Sequence, residues 1–223
     1  MSDLINDGRL TAKPHQPSKP AGPGQTYLNM DRDRDAILQL PKASAHGPVP
    51  LLLMLHGATQ SAEDMLDYLG KFPEQTGVAI LAVNSRQETW DAIRGSFSRD
   101  VTFINHALEL AYDKAAIAPN HVAIGGFSDG ASYALSLGLI NGDLFNRVVA
   151  FSPGFVIDGA PHGTPRFFVS HGTNDHILPI DRCSRRIVAD LKDRGYEVTF
   201  REFAGDHEVP ETVAQEALTF VSS

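Results

Sequence analysis

Two hydrophobic patterns alternate along this chain. One is the short unbroken apolar run that a strand buried on both faces requires. The other is a stripe recurring every three and four residues, the mark of a helix with one face inward. Residues 51–55, Leu-Leu-Leu-Met-Leu after Pro50, and residues 78–84, Val-Ala-Ile-Leu-Ala-Val-Asn, are runs of the first kind. Residues 121–127, 147–151, 166–170 and 197–203 predict further strands. Residues 26–30 and 36–40 predict two short strands around Asp31-Arg32-Asp33-Arg34-Asp35, a charge run that reads as a solvated hairpin tip. Helical spacing covers residues 62–70, then 100–116 with Phe103, Ile104, Ala107, Leu108 and Ala111 on one face. It returns over 130–139, over 181–194 with Gly195 as the stop, and from Pro210 through Val221. Strands alternating with helices predict an α/β fold: a mostly parallel central sheet with helices on both faces and right-handed connections. Residues 1–25 hold Pro14, Pro17, Pro20 and Pro23 with Gly22 and Gly24, and predict an extended or disordered segment; residues 26–223 then form a single domain.

Composition removes several function classes. A formal net charge of −8 argues against a nucleic-acid or anionic-membrane partner, because both reward clustered Lys and Arg. The single cysteine, Cys183, excludes an intrachain disulfide and the zinc cysteine patterns, and its helical surroundings read as a buried or half-buried structural thiol. No apolar run approaches the roughly 20 residues of a membrane span. Asp3, Asn6, Asp7 and Arg9 interrupt the first residues, so no secretory signal builds up and a cytoplasmic location is the expectation.

In parallel sheets, functional residues collect in the loops at the carboxyl ends of the strands. Gly126-Phe127-Ser128-Asp129-Gly130 lies between an apolar run and a small-residue helix pattern. In that context G-x-S-x-G reads as a nucleophile elbow, with Ser128 strained and only glycine fitting at the flanks. In an ordinary α/β protein the same residues would be a Gly-rich connection, so the reading depends on partners elsewhere. The expected base is His207, in Ala204-Gly205-Asp206-His207-Glu208 after the last strand. His56 and His171, directly off strands, read instead as rings that pin loops. The expected acid is Asp175, in Ser170-His171-Gly172-Thr173-Asn174-Asp175-His176. Asp158 and Asp181 rank behind it, Asp181 because it reads as the cap of the next helix; Asp206 adjoins His207 too closely to orient its ring. The expected oxyanion donors are the N–H groups of Asp129 and Ala58, with Thr59 second to Ala58. His171, Asp175 and His176 cluster without an HExxH or recurring carboxylate pattern, so no metal is expected.

Taken together, Leu55-His56-Gly57, Gly126-Phe127-Ser128-Asp129-Gly130, His171-Gly172-Thr173-Asn174-Asp175 and Asp206-His207-Glu208 resemble the α/β-hydrolase superfamily. More narrowly, they resemble its small carboxylesterase, phospholipase and acyl-protein-thioesterase branch, over about residues 26 to 222. The resemblance implies an α/β-hydrolase fold with little or no cap domain, and a serine esterase that takes a small-molecule acyl ester and no cofactor. A homodimer is the expectation by analogy at the level of the fold. The chain departs from the family pattern at Asp129, where Gln is frequent, and at Ala58, where Leu is frequent. Both backbone donors survive, while a carboxylate at 129 disfavours anionic substrates such as phospholipid head groups.

The pocket walls are expected from the two irregular connections, residues 85–98 and 152–165, with Trp90, Phe155 and Val156 foremost and Phe97 and Ile157 beside them. An acyl thioesterase would use the same machinery. The rival of a different class is a catalytically silent hydrolase fold that binds a ligand or partner. Loss of a member of Ser128, Asp175 and His207 would signal it, and all three are present.

Overall fold

The computed structural model describes residues 5–223; the first four residues of the expected N-terminal segment lie outside it. Its centre is an eight-stranded sheet. The strands are β1 (Gly24–Tyr27), β2 (Ala36–Leu40), β3 (Val49–Leu55), β4 (Ala79–Val83), β5 (Ile117–Phe127), β6 (Arg147–Phe151), β7 (Arg166–Gly172) and β8 (Val198–Phe203). Their spatial order is β1-β2-β4-β3-β5-β6-β7-β8. β2 pairs antiparallel with both β1 and β4, and the other five pairs are parallel.

Side chains alternate across a strand, and that alternation sorts the sheet into two cores. Leu51, Leu53 and Leu55 of β3 face one side; Leu52 and Met54 face the other. The first side is covered by α4 (Arg99–Lys114), α5 (Asp129–Ile140) and α6 (Ser184–Asp193), through Ile104, Leu108, Leu135 and Leu191 among others. The second is covered by α1 (Ala62–Leu69), α2 (Phe72–Thr76) and α7 (Glu211–Ser222), through Met65, Phe72 and Leu218. Ser61 and Asp64 close a capping box on α1. Two short helices, α2 and α3 (Asp91–Arg94), arise where the sequence predicted only connections. Neither is long enough to show a helical period.

Two expectations need correction. The charge run at residues 31–35 is not a freely solvated tip: Arg34 turns inward to Ser85 and His56, Arg86 binds Asp31, and the Asp35 carboxylate accepts the Asn29 and Met30 N–H groups. Asp181 does not cap α6, which begins at Ser184; its carboxylate pairs with Arg185 at 2.6 Å. Of the segment expected to be extended or disordered, residues 5–23 have no helix or strand and are fastened to the domain. Arg9 forks onto Asp143 at 2.8 and 2.9 Å, Asn141 takes the Leu10 N–H, Asn105 takes the Thr11 and Ala12 N–H groups, and Leu10 and Ala12 are buried. Asn141 and Asp143 lie at the carboxyl end of α5, a helix length of roughly 18 Å from its start, and Asn105 lies within α4.

Candidate active site

Ser128 stands where β5 gives way to α5. Its φ of 54° and ψ of −118° are sparsely populated for a residue with a side chain and cost on the order of 1–3 kcal/mol. The surroundings enforce them. The Ser128 N–H donates to Phe151 O at 2.9 Å, and the Ser128 carbonyl accepts from the Ser132 N–H at 3.0 Å and its hydroxyl at 3.2 Å. A methyl group at position 126 would lie 2.4 Å from Gly130 atoms, and one at 130 would lie 2.2 Å from Leu55 O. Both flanks of the turn therefore require glycine for contact reasons.

The loop after β8 carries His207 over this turn. The Ser128 hydroxyl reaches His207 Nε2 at 2.9 Å, and His207 Nδ1–H donates to Asp175 Oδ2 at 2.6 Å. With Nδ1 facing a carboxylate, the proton sits there and Nε2 is left to accept. Phe127 supports the ring from below, with centroids 4.7 Å apart. Asp206, excluded above as an orienting acid, secures the loop by accepting the His207 N–H at 2.9 Å.

Asp175 is buried after β7, and the remaining lone pairs of its carboxylate are filled. Oδ1 accepts the N–H groups of Ile177 and Leu178 at 2.9 and 2.8 Å. Burial pushes its pKa up, but the Leu178 N–H, the His207 hydrogen bond and the two nearby imidazoles outweigh that and hold it below the ordinary carboxylate range. Gly172, just before this loop, has no room for a side chain: a methyl there would meet Asp206 O at 2.2 Å, so the β7 and β8 loops touch backbone to backbone.

His171 and His56 are both fully buried and spent on structure. His171 Nδ1 accepts from the Ser184 hydroxyl at 2.5 Å, while Nε2–H donates to Leu178 O at 2.7 Å and lies 3.1 Å from Asp175 Oδ2. Burial lowers its pKa. His56 sits under the loop that follows β3. Its Nε2 accepts the Ser85 N–H at 3.0 Å, so Nδ1 carries the proton and donates to Gly57 O at 2.6 Å. Burial pushes its pKa down to about 4, which keeps the ring neutral.

That loop approaches the serine closely, since a methyl at Gly57 would lie 3.3 Å from Ser128 Cβ. Of the two donors weighed at its tip, the Thr59 N–H is committed to Glu88 O at 2.8 Å. The Ala58 and Asp129 N–H groups have no acceptor among the described residues. The Asp129 carboxylate accepts from the Thr89 hydroxyl at 2.6 Å, and Thr89 also lines a cleft of about 400 Å³ with Arg94 and Arg99.

The expected walls divide. Trp90 is corrected: it is fully buried, its Nε1–H donates to His56 O at 2.8 Å and its ring stacks on Tyr133, so it braces the β3 loop and presents no surface to a ligand. Phe97 is likewise buried, against Tyr133. Val156 and Ile157 are half-buried and pack against the larger core. Phe155 is exposed at 41%. Its backbone is tied to Ser132 of α5, and its neighbour Gly154 abuts Leu178, beside which Ile177 stands exposed. Sequence reasoning missed Arg34, Thr89 and Ile177. Arg34 and Thr89 find their partners 51 and 40 positions away, and the exposure of Ile177 is set by the fold, so no local pattern signals them. Among the described residues, no group of three or more His, Cys, Asp or Glu side chains could hold a metal ion, and no helix is long and apolar enough to cross a membrane.

A sheet of this order, with a serine elbow after β5 and polar side chains converging from the ends of β7 and β8, defines an α/β-hydrolase fold. The chain belongs to the phospholipase/carboxylesterase family, whose sequence model matches residues 78–223. NocK of Nocardia uniformis subsp. tsuyamanensis, named as an esterase, is 30% identical over 146 residues, which are 60% of this chain and 42% of that protein. The chain thus spans less than half the length of that relative. Among solved structures, the fluorophosphonate-binding serine hydrolase FphF of Staphylococcus aureus superposes with a TM-score of 0.73 at 15% identity, covering 91% of this chain and all of that one. The Bacillus cereus carboxylesterase gives 0.66 at 19% identity, over 87% of this chain and 96% of that one. At such identities the likeness speaks for the fold.

Proposed function

We propose that the protein hydrolyses carboxylic esters of small molecules through a covalent acyl-enzyme on Ser128. The observation that carries this reading is the continuous line from Ser128 Oγ to His207 Nε2 at 2.9 Å and from His207 Nδ1 to Asp175 at 2.6 Å, set at a strained turn. As Oγ attacks the acyl carbon, its proton passes to His207 Nε2, and the carbonyl π pair moves onto oxygen. The Ala58 and Asp129 N–H groups receive that oxyanion; removing one such donor typically costs about 3 kcal/mol of transition-state stabilisation. Collapse expels the alkoxide, which leaves with the proton from His207. Water, deprotonated by His207, then attacks the acyl carbon, and Oγ departs as the hydroxyl. Asp175 stays ionised throughout and stabilises the imidazolium.

The acyl chain rests on the apolar ledge of Phe155 and Ile177, the exposed large side chains of the β6 and β7 loops. The alcohol lies toward the cleft that Thr89 lines. The test is labelling with a fluorophosphonate probe. The wild type reacts and Ser128→Ala does not; a folded wild type that stays unlabelled overturns the reading. A chain-length series of acyl esters, run beside matched thioesters, then defines the substrate.

A further inference from the structure

The charge run at residues 31–35 has no part in the chemistry above, yet one of its side chains reaches the buried histidine under the β3 loop. Arg34 Nε donates to Ser85 O at 2.5 Å, and Nη2 donates to Ser85 Oγ at 3.2 Å and to His56 Nε2 at 3.3 Å. The rest of the run holds this arginine in place. Asp31 Oδ1 accepts the Arg34 N–H at 3.0 Å, its Oδ2 binds Arg86 at 3.0 Å, and Arg86 in turn donates to Arg34 O while its guanidinium lies 3.5 Å above the Phe103 ring. Arg34 is a cation clamped from both sides and aimed at one imidazole.

What that imidazole does next follows from peptide geometry. His56 Nδ1–H and the Gln60 N–H both donate to Gly57 O, at 2.6 and 3.2 Å. A trans peptide sets its C=O and the following N–H on opposite sides. Holding Gly57 O against His56 therefore turns the Ala58 N–H away from the ring. It is that N–H which the proposed mechanism needs beside Ser128. The arrangement requires the proton on Nδ1. In the other tautomer the Nδ1 lone pair would face the Gly57 carbonyl oxygen, and the repulsion would favour turning the peptide over. The Ser85 N–H, at 3.0 Å the stronger donor to the single Nε2 lone pair, excludes that tautomer; Arg34 adds a longer contact at 3.3 Å and, by holding the Ser85 carbonyl and hydroxyl, keeps that donor on the ring.

We propose that Arg34 is a positioning residue: acting through the His56 ring, it sets the Gly57–Ala58 peptide with the Ala58 N–H toward the acyl oxygen. The inference rests on the esterase reading for its consequence in turnover, and on geometry alone for the state of His56. Arg34 touches no reacting atom. Its removal lowers the rate of the chemical step and leaves ground-state binding nearly alone, since a donor aimed at an oxyanion is worth most in the transition state.

The experiment compares Arg34→Met, which keeps the aliphatic stem without its donors, with Arg34→Lys and with Arg32→Ala, a change at an exposed neighbour. Steady-state hydrolysis of one short acyl ester is measured at a temperature where circular dichroism shows every variant folded. The expected result for Arg34→Met is a fall in kcat of about tenfold to a hundredfold with KM within about threefold, the loss a misplacement of the order of 1 Å produces. Arg34→Lys restores most of kcat, because an ammonium still supplies a donor, and Arg32→Ala matches the wild type. A merely structural role would instead lower melting temperature and active fraction together without a change in kcat per folded molecule, and that result overturns the proposal. So does an Arg34→Met enzyme with unchanged kcat.

A second readout needs no turnover. Long-range proton–nitrogen NMR correlations of His56 show a single Nδ1–H tautomer in the wild type and a mixture in Arg34→Met. Unchanged signals overturn the positioning of the ring. If the tautomer shifts while the wild type hydrolyses no ester, the failure lies with the esterase reading.

Discussion

Two histidines stand at strand ends on either side of Ser128, and they are built in opposite ways. His56, after β3, has no solvent exposure, and both ring nitrogens are committed to its own loop and to Ser85. His207, after β8, keeps a tenth of its side chain exposed, and its partners are one carboxylate and one hydroxyl. Burial without a facing carboxylate drives the His56 pKa down to about 4 and makes it a fixed neutral brace. An imidazole has two nitrogens, so a ring that gives both to structure has none left for proton transfer. The same residue type therefore serves as a brace on one side of the serine, and as the proposed base on the other.

The sharpest way to break this contrast is at the carboxylate that His207 has and His56 lacks. Asp175→Asn is expected to lose on the order of 10⁴-fold in kcat, because an amide can present its N–H to Nδ1 and favour the wrong tautomer. Asp181→Asn, at an exposed ion pair with Arg185, should keep wild-type turnover. Reversed outcomes in steady-state assays would assign the acid to Asp181.

Next in size is the pH dependence of stability, which tests the buried side. His56 has a folded pKa of about 4 against about 6.5 unfolded. Between these values the unfolded chain binds a proton that the folded chain refuses, so stability falls as pH falls, by on the order of 3 kcal/mol in all. Asp100 works the other way. Burial, opposed by hydrogen bonds from the Arg86 and Asp91 N–H groups, raises its folded pKa to about 6, against about 3.8 unfolded. The folded chain then binds the proton first, and stability rises by a similar amount as pH falls from about 6 to about 4. The two effects offset in the wild type. Asp100→Asn removes the second, so urea unfolding at pH 6.5 and pH 4.5 should show a steeper acid loss in the variant. Parallel losses would mean that one of the two groups is solvated.

The smallest expected effect is at the apolar ledge. Truncating Phe155 or Ile177 to Ala removes apolar contact for longer acyl chains only. KM for those esters should rise by up to about tenfold while short-chain esters are unchanged. A uniform change across the chain-length series would move the acyl site elsewhere.

Most of the architecture and the principal candidate residues were legible in the linear pattern. Unbroken runs such as residues 51–55 announced strands buried on both faces, and the G-x-S-x-G, His-Gly and strand-end Asp and His residues came in an order that placed them at one edge of a parallel sheet. These features were readable because backbone periodicity and turn sterics act over a few residues. Gly126 and Gly130 are glycines for reasons that the turn between them already implies.

Other features had no local sign. Trp90, an aromatic in an irregular connection, reads equally well as a pocket wall or a brace; only the folded chain brings it under His56, with its Nε1–H on the His56 carbonyl. The charged hairpin tip reads as solvated until β2 pairs with β4 and brings Arg34 to Ser85, 51 positions away. The Pro-rich N-terminal stretch gives no hint of Asn105 and Asn141, which bind its backbone. The sequence by itself therefore determined the strands, the helices, the elbow and the order of the polar residues at the strand ends. Tertiary structure alone decided which distant groups hold those polar residues in place, such as Arg34 and Ser85 at His56, Ser184 at His171 and Trp90 beneath the β3 loop. The reason is physical: burial and hydrogen-bond partners, which set a side chain's protonation and orientation, come from residues far away in the chain.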